Sequence, residues 1–186
     1  VYLIHKYKMI NCFKKIELTD WEDLSRKVDN YIQTTDILQK KYSWNAIDSI
    51  EILDKIPMLK TIFSVYDLKV RTVAIILRSP LSRGRIHIDH RVGVRALIPI
   101  KNCQGSYTKF FDVDKSKIQI EIGDEGVKYY HIPDSAVIAE ITSVETITPI
   151  VFDPQVPHGI WTNPTCHSPR LTLTIGFNRS PRELLS

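Results

Sequence analysis

The chain has 186 residues, 43% of them hydrophobic and 25% charged, with a formal net charge of +4. That length can bury a single core, the composition excludes a disordered chain, and no stretch reaches the roughly 20 uninterrupted apolar residues of a membrane span. The basic residues are scattered, so nucleic acid is not indicated as a partner.

The chain begins at Val1 without an initiator Met, and its mixed Tyr/Ile/His/Lys lead-in over residues 1 to 16 has no secretory h-region. Thr19-Asp20-Trp21-Glu22 has the form of a capping box, and Trp21, Leu24, Val28, Tyr31 and Ile32 then recur at helical spacing, predicting an amphipathic helix from residue 20 to 33 or beyond. Asn45 to Lys55 gives a second helix through Ile47, Ile50 and Leu53, broken by Pro57, and Met58 to Phe63 one more turn. Residues 1 to 68 are therefore expected to be a helical cover for a sheet.

From Lys69 the texture becomes β. Val70 to Leu77 is a β-branched run, and Ser79 to Gly84 a turn into Arg85-Ile86-His87-Ile88-Asp89-His90. Strands are expected over Val92 to Ile100, Tyr107 to Val113, Ile118 to Ile122, Val127 to Ile132, Ala136 to Ile141, Thr146 to Phe152 and Arg170 to Phe177. Many short strands with regular turns favour a sandwich or barrel, the jelly roll being one solution, over residues 69 to 180 of a single domain.

On a strand, residues i and i+2 share a face, so His87 and Asp89 project together while Ile86 and Ile88 pack on the other side. A buried Asp is costly unless it is paired or bound to a cation. His158 supplies a third ligand far downstream, and two His with one carboxylate occupy one face of an iron octahedron. By parity His90 goes to the opposite face, and His5, His131 and His167 are read as structural. Arg170 and Thr172 share a strand face and offer a fork and a hydroxyl to a carboxylate. Arg95 points away from Val92, Val94, Ala96 and Ile98.

The ordered set of His-x-Asp, a distant His and then Arg resembles the Fe(II)/2-oxoglutarate-dependent dioxygenase superfamily. The segment from His87 through Arg95 to Pro99-Ile100 and Asn102-Cys103 is similar to its aspartyl/asparaginyl- and prolyl-hydroxylase-like members. The resemblance implies a double-stranded β-helix, with Fe(II) held by His87, Asp89 and His158, and with Arg170 pairing with the distal carboxylate of 2-oxoglutarate. Thr172, Tyr107 and Arg95 are expected to line the same pocket, Arg95 alternatively holding an acidic substrate group. Lys109 is a rival for Arg170, since some members place a basic residue on the strand after His-x-Asp. The implied reaction consumes O2, releases succinate and carbon dioxide, and hydroxylates an amino-acid or peptidyl side chain, with ascorbate as a candidate activator. Cys12, Cys103 and Cys166 are odd in number and form no Cys-x-x-Cys, which suits a reducing, cytoplasmic setting. The alternatives are a non-catalytic jelly-roll protein that binds a metal or ligand, and a cupin-like isomerase or epimerase. Arg170 discriminates, because a pure binding module has no need of a cation beside the metal.

Overall fold

Residues 11–35, 44–89, 93–122, 128–163, 167–179 and 184–185 are described by the structure, a computed structural model. The elements are, in chain order, β1 (Phe13–Lys15), α1 (Trp21–Gln33), β2 (Trp44–Ile47), α2 (Ser49–Lys55), α3 (Met58–Thr61), β3 (Val70–Arg78), β4 (Ile86–Asp89), β5 (Arg95–Lys101), β6 (Ser106–Val113), β7 (Gln119–Ile122), β8 (Lys128–Ile132), β9 (Val137–Glu145), β10 (Ile150–Phe152), β11 (His158–Thr162) and β12 (Arg170–Phe177).

Among the described residues the strands form two six-stranded sheets, ordered β1-β10-β5-β12-β3-β2 and β7-β8-β4-β11-β6-β9. The pairing has a simple logic: β3 pairs with β12, β4 with β11, β5 with β10 and β6 with β9, all antiparallel. The second half of the chain thus runs back along the first as one long hairpin ribbon. Because its successive rungs alternate between the two sheets, the ribbon is wound into a double-stranded β-helix, the jelly roll that the strand pattern predicts. The β7–β8 hairpin is inserted before β9 and extends the second sheet beyond β4.

Alternation along the strands sorts side chains between two cores. Val73, Ile75, Ala96, Ile98, Leu171, Leu173, Ile175 and Phe177 leave the first sheet on its outer face and meet Leu24, Val28 and Ile32 of α1, Ile52 of α2 and Leu59 of α3. The opposite parity turns inward: Leu97, Ile150 and Phe152 meet Phe110 of the second sheet. The helical stripe of α1 thereby buries against β5, with Ser25 Oγ donating to Ile100 O at 3.1 Å.

Two local expectations are corrected. The capping box does not form, since Asp20 occupies the N-cap with φ 62° and makes no side-chain cap hydrogen bond. The residue with the hydroxyl, Thr19, lies one position too early. Residues 45–47 belong to β2, which adds to the edge of β3, so the second helix begins only after Asp48, whose carboxylate accepts from Ile50 N at 2.8 Å and Glu51 N at 3.3 Å. Spacing alone could not separate these states, because Ile47 continues the same three-residue rhythm as Ile50 and Leu53.

Candidate metal centre

Strand β4 carries His87 and Asp89 on its inner face, Ile86 and Ile88 packing on the outer side. Strand β11 lies antiparallel beside it, with His158 the Cα partner of His87. This pairing is stapled by the loop before β11: Asp89 N donates to Pro154 O at 3.0 Å, and Phe111 N to Pro157 O at 2.9 Å. The three side chains are brought together, one ligand atom from each lying within 4.8 Å of the others. The His87 and His158 ring centroids are 4.5 Å apart.

Both imidazoles are oriented the same way. His87 Nδ1 lies 3.0 Å from Arg85 O and His158 Nδ1 2.9 Å from Val156 O, so each Nδ1–H donates to a carbonyl two residues earlier. Each Nε2 lone pair is then free to face the cluster, an arrangement that fixes the tautomer of a ligating His. Burial lowers the His158 pKa to about 4, the neighbouring His87 adding to the shift; its ring is neutral at ordinary pH and its lone pair available. Phe110, Phe152 and Leu97 form a dry wall, the Phe152 and His158 ring centroids standing 5.1 Å apart.

Asp89 is divided between two tasks. Its Oδ1 is 3.5 Å from His87 Nε2, while Arg95 Nε donates to Oδ2. Burial would raise the carboxyl pKa, but Arg95, His158 and His87 outweigh it and hold Asp89 below the usual carboxylate range. Gly176 lies beside that guanidinium, where a methyl group would clash with Thr72 Oγ1 at 2.4 Å and stand in ordinary contact with Arg95 Nη1 at 3.7 Å. Arg95 therefore sits on the inner face and is engaged by the triad carboxylate.

Arg170 opens β12 on the inner face, wholly buried, with Thr172 beside it at 0% exposure. The Cys103 thiol lies against this guanidinium, which pulls its pKa down, although burial prevails and the net shift is upward. Thr172 Oγ1 is buried without a hydrogen-bond partner, as is Ser106 Oγ on the facing β6. A buried cation flanked by orphaned hydroxyls fits a carboxylate ligand.

The structure does not bring Tyr107 or Lys109 into this interior. Their parity on β6 is that of Phe111 and Val113, on the outer face of the second sheet. Lys109 Nζ donates to Glu140 Oε2 at 2.7 Å and sits 5.8 Å from the Trp161 ring centroid. Neither reaches Arg170, so the expected pocket roles of both are corrected. His131 is the cross-strand partner of His87, outside the triad, and its Nδ1 is buried without a partner. His167 is exposed, while His5, His90 and Cys166 lie outside the described residues. Sequence reasoning missed Arg78, whose place at the end of β3 opposite Arg170 is visible only once β3 and β12 are paired.

No family model and no curated protein sequence matches the chain. Among solved structures, HygX from Streptomyces hygroscopicus with nickel and 2-oxoglutarate bound is similar at a TM-score of 0.55, with 13% identity over 92% of this chain and 83% of that one. The epimerase SnoN in complex with Fe3+, alpha ketoglutarate and nogalamycin RO gives a TM-score of 0.55 with 9% identity over 90% of this chain and 79% of that one. A Pseudomonas putida prolyl-4-hydroxylase gives 0.48 with 20% identity, covering 90% and 88%. At such identities the likeness to HygX and SnoN is one of fold: the chain shares a double-stranded β-helix with these two structures.

Proposed function

We propose that this chain is an Fe(II)- and 2-oxoglutarate-dependent oxygenase that hydroxylates an amino-acid or peptidyl side chain. One observation carries the reading: the convergent His87, Asp89 and His158 share the interior of the barrel with the wholly buried Arg170 and the unpartnered Thr172 hydroxyl. A metal-binding barrel without a cosubstrate gives no reason to bury that guanidinium.

In this reading His87, Asp89 and His158 hold the metal, and Arg170 and Thr172 take the distal carboxylate of 2-oxoglutarate. When bound, iron would supply the oxygen chemistry and 2-oxoglutarate the two electrons, leaving as succinate and carbon dioxide. Arg95 keeps one Asp89 oxygen occupied, so that the other is presented to the metal. The Nδ1 bonds to Arg85 O and Val156 O hold both imidazoles in the ligating tautomer. Phe110 and Phe152 exclude water from the His158 side. The preference for an amino-acid or peptidyl substrate rests on the His87 to Cys103 segment.

A second reading shares the site and differs in outcome. SnoN is described as an epimerase bound to Fe3+ and alpha ketoglutarate on the same fold, which favours epimerisation, a change that inserts no oxygen, as the alternative. The two separate by product mass, since hydroxylation adds one oxygen atom and epimerisation none.

The test is an anaerobic Fe(II) titration of the unmodified chain and of Asp89→Ala, followed by succinate measurement under air with ascorbate. The unmodified chain is expected to bind a single Fe(II) and to turn over 2-oxoglutarate slowly without substrate. Asp89→Ala is expected to keep its fold and lose both. Unmodified iron occupancy in Asp89→Ala, or no 2-oxoglutarate binding to the iron-loaded chain, rejects the reading.

A further inference from the structure

Arg78 ends β3 and is the direct Cα partner of Arg170 across the β3–β12 ladder. The residues beside them, Leu77 and Leu171, belong to the helix-facing core, so both arginines leave the strands on the inner face. Directly opposed residues hold their Cβ atoms about 4.5–5.5 Å apart, which makes these two cations neighbours. The Arg78 side chain reaches across the interior toward the second sheet. There Gly84 N donates to Ile160 O at 2.6 Å, and a methyl group on Gly84 would lie only 3.7 Å from Arg78 Nη2.

This guanidinium is not spent on the protein. Its Nε is buried without a hydrogen-bond partner, and burial lowers its pKa, a sign that no described carboxylate stabilises the charge. Thr172 Oγ1, two residues along β12 from Arg170, and Ser106 Oγ, at the start of β6, are likewise buried and unpartnered. Two like charges on adjacent strands repel, and unsatisfied donors add their own desolvation cost. An anion lying between them removes both penalties at once.

We propose that Arg78 is a second guanidinium of the carboxylate pocket built around Arg170, and that it sets the preference for a 2-oxo acid with a distal carboxylate. The assignment rests on the oxygenase reading above. It gives the pocket two positive charges, with Thr172 and Ser106 offering further hydrogen bonds to the same group.

The experiment is anaerobic calorimetry on the Fe(II)-loaded unmodified chain, Arg78→Met and Arg78→Lys. Each is titrated with 2-oxoglutarate and with 2-oxobutyrate, which has the same 2-oxo acid head and no distal carboxylate. Arg78→Met keeps the apolar stem and is expected to bind 2-oxoglutarate roughly 10- to 100-fold more weakly, as for a lost charge-assisted contact. Its affinity for 2-oxobutyrate is expected to be unchanged. Arg78→Lys falls between, since an ammonium keeps the charge without the fork. Unaltered 2-oxoglutarate binding by Arg78→Met overturns the proposal, as does an equal loss for both 2-oxo acids, which would mark a structural role. Should Arg78→Met not fold, Arg78→Lys decides on the same terms, weaker 2-oxoglutarate binding supporting the role and unaltered binding rejecting it. An unmodified chain that binds neither 2-oxo acid defeats the oxygenase reading itself, and this assignment with it.

Discussion

Asp89 presents one oxygen to the His87 imidazole and the other to the Arg95 guanidinium, and that division sets what its neighbours contribute. Removing Arg95 leaves a buried carboxylate free to rotate and to draw in water. Arg95→Ala is therefore expected to weaken Fe(II) binding by about 10- to 100-fold, the usual cost of losing a partner that orients a ligand, with Arg95→Lys recovering part of it. Competition titration against a coloured chelator measures this, and unchanged iron affinity in Arg95→Ala would show that Asp89 is held without it. At the other end of the interior, Arg170→Ala should cost about 2–4 kcal/mol of 2-oxoglutarate binding, or roughly 30- to 1,000-fold, and leave iron affinity nearly untouched. Lys109→Ala serves as the control, because its ammonium is paired with Glu140 on the outer face. A loss in Lys109→Ala with none in Arg170→Ala would reverse this assignment.

The element scale shows what could be read from residue order and what could not. His87 and Asp89 were legible because the two-residue period of a strand puts them on one face whatever the strand pairs with. Arg170 and Thr172 followed by the same rule. Tyr107 and Lys109 were misplaced because parity says which residues share a face, and only the packing of Phe111 and Val113 says which face that is. Strand β11 is absent from the series of predicted strands, because Pro157 and Gly159 flank His158 and interrupt the β-branched texture, yet the segment pairs with both β4 and β6. Gly159 is required by close approach, since a methyl group there would meet the Trp161 ring at 2.7 Å. Local start signals were equally deceptive, for Thr19 looks like a cap and Asp48 acts as one. Asp48→Ala is expected to destabilise the chain by about 1 kcal/mol, whereas Thr19→Ala should fall within about 0.5 kcal/mol of the unmodified chain. Urea unfolding of the two variants decides between them.

At the scale of the molecule, the wound ribbon separates two apolar regions that differ in duty. Phe63 is wholly buried under the helices, its ring centroid 4.9 Å from that of Phe177. Phe110 is equally buried between the sheets, its centroid 6.1 Å from Phe152 and 6.3 Å from His158. The two residues have the same side chain and the same burial, so truncation should cost each about 3–5 kcal/mol of stability. Their effects on the metal should differ. The cavity left by Phe110→Ala opens against His158 and admits motion or water where a ligand must stand still. The cavity left by Phe63→Ala is shielded from the triad by the whole first sheet. The helices beside Phe63 pack on the outer face of that sheet, and among the described residues no helix is long and apolar enough to cross a membrane. Denaturant unfolding is expected to return similar losses for the two variants, while anaerobic Fe(II) titration returns near-unmodified affinity for Phe63→Ala and a clear loss for Phe110→Ala. Equal weakening of iron binding by both would mean that the metal centre responds to global stability and that the inner apolar wall has no separate role in holding His158.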